Sequence, residues 1–398
     1  MPLLTSLLLL IVLSRLLGQL FIRYQQPAIV GEMLAGVILG PTLLKLVYPG
    51  AALAGISELA VFLIVLSAGL EMNFKDVLSA LGGKGLIIGI LGFIIPLLSG
   101  IAVGLAFQLD VMRTIILGLT ISITALPVAI RVLDSFKLLQ SDIARYSIGT
   151  AILNDIAALL AFGVILSLPE QRTFLAVATS IVWTGGKLGL LAACILGFNF
   201  LLEKIYEKGV HIERVSERLI NAFGSEALLG IVVAFVLVFS SFSEMLGFHF
   251  VIGAFFGALI VDKKFFLASR YSELEKSLGS VTGGFLAPVF FAYLGLELDV
   301  AAITSPLFLL VVLAIAIVSK IGSGWIGGRF IGLSKPESLG IGIILNGRGV
   351  MGLVIASIAF ERGYIGQGFF STLVVMSIVT TIIAPMLFRR FVLHRLST

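Results

Sequence analysis

Cysteine, histidine and charge are all scarce in this chain. The single cysteine, Cys194, falls inside an apolar run, which excludes a disulfide framework and a cysteine-based metal site. The histidines are His211, His249 and His394, all in loops or at the tail, and no HExxH helix exists. Charged residues make up 12% of 398 positions against 59% hydrophobic, and the mean hydropathy is +1.15. A core buried by water alone does not require so much apolar sequence. The net charge of +5 sits in short loops between apolar runs, which fits membrane orientation and not nucleic acid. The first run, Leu3 to Phe21, has no basic leader and no cleavage site, so it reads as a retained helix and not a signal peptide.

Enzyme chemistry finds no foothold. The "KIGSG" around Ser323 lacks a base, no phosphate-binding glycine loop accompanies a soluble segment, and one carboxylate alone lies clearly mid-run. No catalytic residues and no cofactor are expected.

What the chain does have is helix-length apolar sequence. A spanning helix needs about 20 apolar residues. Breaks at charges and Pro/Gly clusters give about thirteen spans: 2–23, 27–44, 52–70, 85–107, 112–133, 142–168, 173–202, 220–243, 247–262, 277–298, 305–329, 336–360 and 368–390. The fold class is therefore an all-α polytopic membrane protein. Loops on one side carry 19 Lys/Arg, among them Arg145, Lys204, Lys263, Lys264 and Arg390; the other side carries Lys45, Arg113, Arg172 and Arg362. The positive-inside rule places the N-terminus outside and the C-terminus in the cytoplasm. Arg15, Lys187, Lys320 and Arg348 fall within spans; the first two can snorkel or face protein, and the last two need a partner.

The two halves resemble each other at an offset of 222–226 residues. "IVGEMLAGVILG" (Ile29–Gly40) parallels "VIGAFFGALIVD" (Val251–Asp262), and "AGLEMN" (Ala68–Asn73) parallels "LGLELD" (Leu294–Asp299). An odd number of spans separates the copies, so they run in opposite directions, a transporter signature. Two spans in corresponding positions are interrupted. "ISITALPVAIR" holds Thr124 and Pro127, and "LNGRGVMGLV" holds Gly347, Arg348 and Gly349. Proline removes a donor and clashes with the carbonyl of Ile123. The interruptions are either packing kinks or unwound segments lining a cavity, where freed carbonyls can hold a small cation.

"GTAILNDIAALLAFGVIL" (Gly149–Leu166) places Asp155 beside Asn154 in an otherwise apolar helix. A carboxylate at bilayer depth costs roughly 2.5–3.5 kcal/mol on insertion scales. Burial penalises its charge, so it holds either a proton or a metal cation, and sharing one group makes the two exclusive. The alternative is that Asp155 pairs with Lys320 or Arg348 to hold helices together.

With these pieces the chain resembles the monovalent cation/proton antiporters, specifically the second cation–proton antiporter branch. The resemblance runs over essentially the whole chain. It is carried by "PAIVGEMLAGVILGP" (Pro27–Pro41), "GLEMNF" (Gly69–Phe74), "GTAILNDI" (Gly149–Ile156), "PVFFAYLGLELD" (Pro288–Asp299), "SKIGSGWIGG" (Ser319–Gly328) and "NGRGVMGL" (Asn346–Leu353). It implies thirteen helices in a single transmembrane domain (1–398) without a soluble regulatory domain. Core helices fall in 52–168 and 277–390, including two crossed broken helices; panel or dimerisation helices fall in 1–44 and 220–262, with a linker at 173–202. It also implies a homodimer working by elevator-like alternating access.

By the same resemblance, Asp155 is the ion-binding aspartate, Thr124 lies in the unwound crossing and Arg348 is the basic residue of the partner broken helix. Asn154 stands where electrogenic members carry a second aspartate, and Lys320 matches the lysine that pairs with it. One acid suggests one proton per cation; Lys320, its usual partner missing, either pairs with Asp155 or sits neutral. Thr150 stands where the electroneutral branch often has a glutamate.

Glu32 and Ser122 are candidates to line a cavity. Glu71 and Glu297, at equivalent repeat positions, are solvated end charges or a funnel entrance. His249 and Glu244 flank a short loop and are candidate pH sensors. The expected function is exchange of Na⁺, or K⁺ or Li⁺, for H⁺ across a cell membrane, with the bilayer as the surrounding partner and no nucleic acid. The alternatives are a Na⁺-coupled organic-anion symporter using Lys320 and Arg348 to hold the anion, and a K⁺ efflux system.

Overall fold

A computed structural model describes residues 2–24, 26–71, 83–124, 126–138, 141–166, 174–207, 227–261, 266, 268–348 and 350–393. Among these residues every regular element is a helix. In chain order they are α1 (Leu3–Arg23), α2 (Ala28–Leu39), α3 (Ala51–Glu71), α4 (Gly83–Ala106), α5 (Val111–Ser122), α6 (Leu126–Ser135), α7 (Asp142–Leu166) and α8 (Phe174–Glu207). Then follow α9 (Ala227–Met245), α10 (Phe250–Ile260), α11 (Ala268–Val281), α12 (Ala287–Glu297), α13 (Pro306–Phe330), α14 (Lys335–Ile344), α15 (Val350–Glu361) and α16 (Gln367–Phe388). A π-helical turn, Thr282–Leu286, joins α11 to α12, and another, Arg389–Leu393, follows α16. Among the described residues nine helices are long and apolar enough to cross a membrane, and four shorter apolar helices accompany them.

One expectation is corrected and one is met. The span expected at 277–298 begins nine residues earlier, at Ala268, because the polar stretch "ASRYSELEKS" is itself helical and feeds into the apolar part through the π turn. The interrupted spans at 112–133 and 336–360 are each two separate helices, α5 with α6 and α14 with α15.

The internal repeat is visible in the register of the helices. Val111 and Lys335 open α5 and α14, and Leu126 and Val350 open α6 and α15, each pair 224 residues apart. Even the caps correspond. Asp110 accepts from the Arg113 N–H at 3.0 Å, and Ser334, 224 positions on, forms a capping box with Glu337.

The chain forms two compact units, one of residues 1–57, 77–158 and 288–398, the other of 58–76 and 159–287. Inside the first, small residues let backbones touch. A Cβ on Gly100 of α4 would lie 2.6 Å from Gly118 Cα of α5; one on Gly324 of α13 would lie 2.3 Å from Gly342 Cα of α14. These are the same contact in the two repeats, since Gly100 and Gly324, and Gly118 and Gly342, are 224 apart. Without a hydrophobic drive between helices in lipid, such close approach supplies the packing. The α1–α2 contact in the first unit, Gly31 on the Leu17 carbonyl, has its counterpart within the second unit in Gly253 on the Phe239 carbonyl.

Replacing Gly324 by Leu should destabilise the protein by roughly 1–3 kcal/mol through overpacking. Gly322→Ala, where a Cβ meets nothing within 4 Å, should leave the thermal unfolding midpoint in detergent unchanged.

Candidate functional site: the helix crossing and Asp155

In the first unit α5 packs beside α15 and α6 beside α14, so each half-helix meets the opposite half of its repeat partner. The chain between α5 and α6 leaves the helical path at Ile123, and that between α14 and α15 runs through Leu345–Arg348. Thr124 links the two breaks by donating its hydroxyl proton to the Leu345 carbonyl at 3.0 Å.

A helix that stops inside protein leaves its last four carbonyls without intrahelical partners. At the end of α5 each of them is satisfied. Leu119 O accepts from the Ser122 hydroxyl at 2.7 Å and from the Ile123 N–H at 3.2 Å. Thr120 O and Ile121 O accept from the Arg348 guanidinium, the latter at 2.9 Å, and Ile123 O lies 3.5 Å from the same group. Ser122 O accepts from Lys320 Nζ. Two cations therefore sit at the negative end of the α5 dipole. They are 3% and 0% exposed. At the equivalent end of α14 neutral donors do the same work: Asn346 Nδ2 donates to Gly342 O at 2.9 Å, and Thr124 covers Leu345 O.

Lys320 has three ammonium protons. Besides Ser122 O they reach Thr124 Oγ1 at 2.8 Å and Gly92 O on α4 at 3.0 Å. The Gly92 carbonyl is free because the residue four places on is Pro96, buried inside α4, which has no N–H to offer it. Asn154 completes the shell. With its amide oxygen toward the ammonium it accepts from Lys320 Nζ at 3.2 Å, while its nitrogen donates to Gly89 O at 3.3 Å. Of the two expectations for Lys320, pairing with Asp155 or sitting neutral, the ion pair is absent and a cage of oxygens stands in its place. Arg348 is also fixed from behind by Thr381 of α16, which accepts from its N–H at 3.1 Å and donates to its carbonyl at 2.8 Å.

Asp155 follows Asn154 on α7 and is 3% exposed. Neither Lys320 nor Arg348 forms an ion pair with it, and its Oδ1 is buried without a hydrogen-bond partner. An orphaned buried carboxylate oxygen is costly and calls for a proton, a water or an ion to satisfy it.

The other expected residues fall elsewhere. Ser122 is buried in the crossing, but its hydroxyl is spent on Leu119 and only its carbonyl faces Lys320. Glu32 is buried on α2 against α1, where a Cβ on Gly18 would meet its Cγ and Oε1 at 3.4 Å. Glu297 ends α12, half-buried, with Oε2 unpaired; Glu71 ends α3, and Asn73 lies outside the described residues. His249 is a helix cap, its Nδ1 accepting from the Val251 N–H at 3.4 Å, and Glu244 is exposed. His211, His394, Arg172, Lys263 and Lys264 lie outside the described residues. Gly92, Pro96 and Thr381 were not anticipated. The one available signal was the spacing of Gly92 and Pro96 in "GFIIP", which announces an unpaired carbonyl in mid-helix.

The sequence profile described as "Sodium/hydrogen exchanger, transmembrane" matches residues 5–394. The chain belongs to the sodium/hydrogen exchanger family. It is 26% identical over 370 residues to a Na(+)/H(+) antiporter of Enterococcus hirae, covering 93% of this chain and 92% of that protein. It is 26% identical over 377 residues to the Na(+)/H(+)-K(+) antiporter GerN of Bacillus cereus, covering 94% and 92%. The fold is that of the sodium proton antiporter MjNhaP1 from Methanocaldococcus jannaschii at pH 8, with a TM-score of 0.72 and 19% identity over 96% of this chain and 95% of that one. It is an integral membrane protein of the antiporter type, its relatives being transporters.

Lys320→Met should lower the thermal midpoint, since each buried acceptor left unpaired costs about 1–3 kcal/mol. Adding Pro96→Ala returns an N–H to Gly92 O, so the second substitution should be less harmful, or helpful, in the Lys320→Met background than in the native chain. A double-mutant cycle in detergent measures that coupling.

Proposed function

We propose that this chain exchanges Na⁺, with K⁺ or Li⁺ as the competing candidates, for H⁺ one for one, with Asp155 as the shared carrier. The observation that carries the reading is the unpaired Asp155 Oδ1 in a core where Lys320 Nζ and both terminal nitrogens of Arg348 already donate to oxygen atoms, while the Arg348 Nε is left open. A proton or a monovalent cation neutralises Asp155 equally well. Both cannot occupy it at once, which is the requirement for exchange. Lys320 and Arg348 keep their carbonyl partners throughout, so the loaded core carries the same charge with either cargo. Asn154 serves Lys320 as a neutral acceptor where an aspartate would add a second titrating group.

The organic-anion alternative is disfavoured by the same geometry. Arg348 spends both terminal nitrogens on α5 carbonyls and Lys320 is enclosed by oxygens, which leaves the Arg348 Nε as an open donor but no bidentate grip for a carboxylate. In this reading the helices of 52–168 and 277–390 carry Asp155 between the two faces of a cell membrane by alternating access. Those of 1–44 and 220–262 form a panel that pairs two copies into a homodimer, with 173–202 as the link, the N-terminus outside and the C-terminus in the cytoplasm.

In proteoliposomes, Na⁺-driven proton flux should be abolished by Asp155→Asn. Moving one net charge responds to about 2.3 kcal/mol per 100 mV, so one-for-one exchange should be insensitive to an imposed potential. Retained flux in the variant rejects Asp155 as carrier; a steep voltage response rejects the stoichiometry.

A further inference from the structure

Ser147, Thr150 and Asn154 lie three and four residues apart along α7, which puts them on one face running from its Asp142 end toward the crossing. Ser147 is 0% exposed and Thr150 1%. Buried hydroxyls in apolar helices ordinarily fold back onto the carbonyl four residues earlier. This chain does so repeatedly: Ser99 donates to Ile95 O at 2.7 Å, Thr120 to Ile116 O at 2.8 Å and Ser377 to Leu373 O at 2.9 Å. Ser147 and Thr150 do not. Both hydroxyl oxygens are buried without any protein partner, although the carbonyls of Ile143 and Tyr146 stand one turn behind them. The orientation of Thr150 is set by α4: a Cβ on Gly92 would lie 2.9 Å from its Cγ2, so the methyl faces the glycine and the hydroxyl is turned aside.

Two successive turns that forgo an available bond point to the same outside partner. We propose that Ser147 and Thr150 hold a single file of water along α7 and that this file relays protons between the Asp142 end and the Asn154–Asp155 step. Water serves this role because a hydroxyl both donates and accepts, as each link of a proton relay must. Buried water typically makes about three hydrogen bonds to otherwise unsatisfied groups. The inference rests on the antiport reading for its purpose, but not for the presence of the water.

Two measurements on the full chain test it. A water-resolving cryo-EM map in nanodiscs should show density within hydrogen-bond distance of both hydroxyls. Hydroxyls turned back onto the Ile143 and Tyr146 carbonyls, with no density beside them, would overturn the proposal. In proteoliposomes, Thr150→Val combined with Ser147→Ala should cut the maximal Na⁺-driven proton flux several-fold at unchanged KM for Na⁺, and Thr150→Ser should restore most of the rate. An unchanged flux together with a raised thermal midpoint overturns the water file, because it marks the hydroxyls as dry orphans whose removal relieves a penalty. A raised KM at unchanged maximal flux also overturns it, by assigning the hydroxyls to the cation. Absence of flux in the native protein would reject the antiport reading instead, and the map would then decide the water file alone.

Discussion

The end of α5 is where the molecule commits its charge. A helix stopping at bilayer depth exposes carbonyls that no solvent can satisfy, and a pair of buried cations covers them. Neither Lys320 nor Arg348 could be tolerated there as a bare charge, and the α5 terminus could not be left open. Each removes the other's penalty. Pro96 takes part by withholding its N–H, which leaves Gly92 O as a further acceptor for Lys320. The broken helix, Pro96 and the two basic side chains form one interdependent unit.

The consequence falls on Asp155. At a crossing that brings two basic side chains near a carboxylate, ion pairing would be the obvious outcome. Lys320 Nζ and the terminal nitrogens of Arg348 have oxygen partners instead, Asn154 among them, and the Arg348 Nε is left open. The carboxylate is left buried with an open oxygen, which on the proposed reading is where proton and cation alternate. Were Lys320 to reach Asp155 instead, a permanent ion pair would fix the core. In that proposal Asn154 keeps Lys320 engaged without adding charge, which would tie the absence of a second acid to one-for-one exchange.

Much of this frame could be read from the residues. Asp155 stood out because an acid in an apolar helix has a cost, and Thr124 and Arg348 because the repeat offset brought two weak points into correspondence. The caps at Asp110 and Ser334, and the glycine pairs at Gly100/Gly118 and Gly324/Gly342, repeat that offset in the coordinates. What could not be read was which groups lie opposite one another. In the sequence Lys320 invites a carboxylate because charges are what a sequence displays, whereas two of its four partners are backbone carbonyls, present at every position and distinguished only by which of them lack an N–H. The Pro96 signal was legible as a defect in α4 but not as an acceptor for α13. Glu32 looked like a cavity residue for the same reason that Asp155 did. Its seat against Gly18 follows from the α1–α2 contact, which the apolar pattern does not specify.

The claim beneath all of this is that a single carboxylate trades a proton for a cation while the two core cations stay committed. Calorimetric titration of the purified protein with Na⁺, repeated in buffers of different ionisation enthalpy, counts the protons released per ion bound. The account predicts release that approaches one proton per Na⁺ on acidification, never exceeds it, and disappears together with Na⁺ binding in Asp155→Asn. Release of more than one proton, or saturable Na⁺ binding with no proton release at any pH, would contradict it.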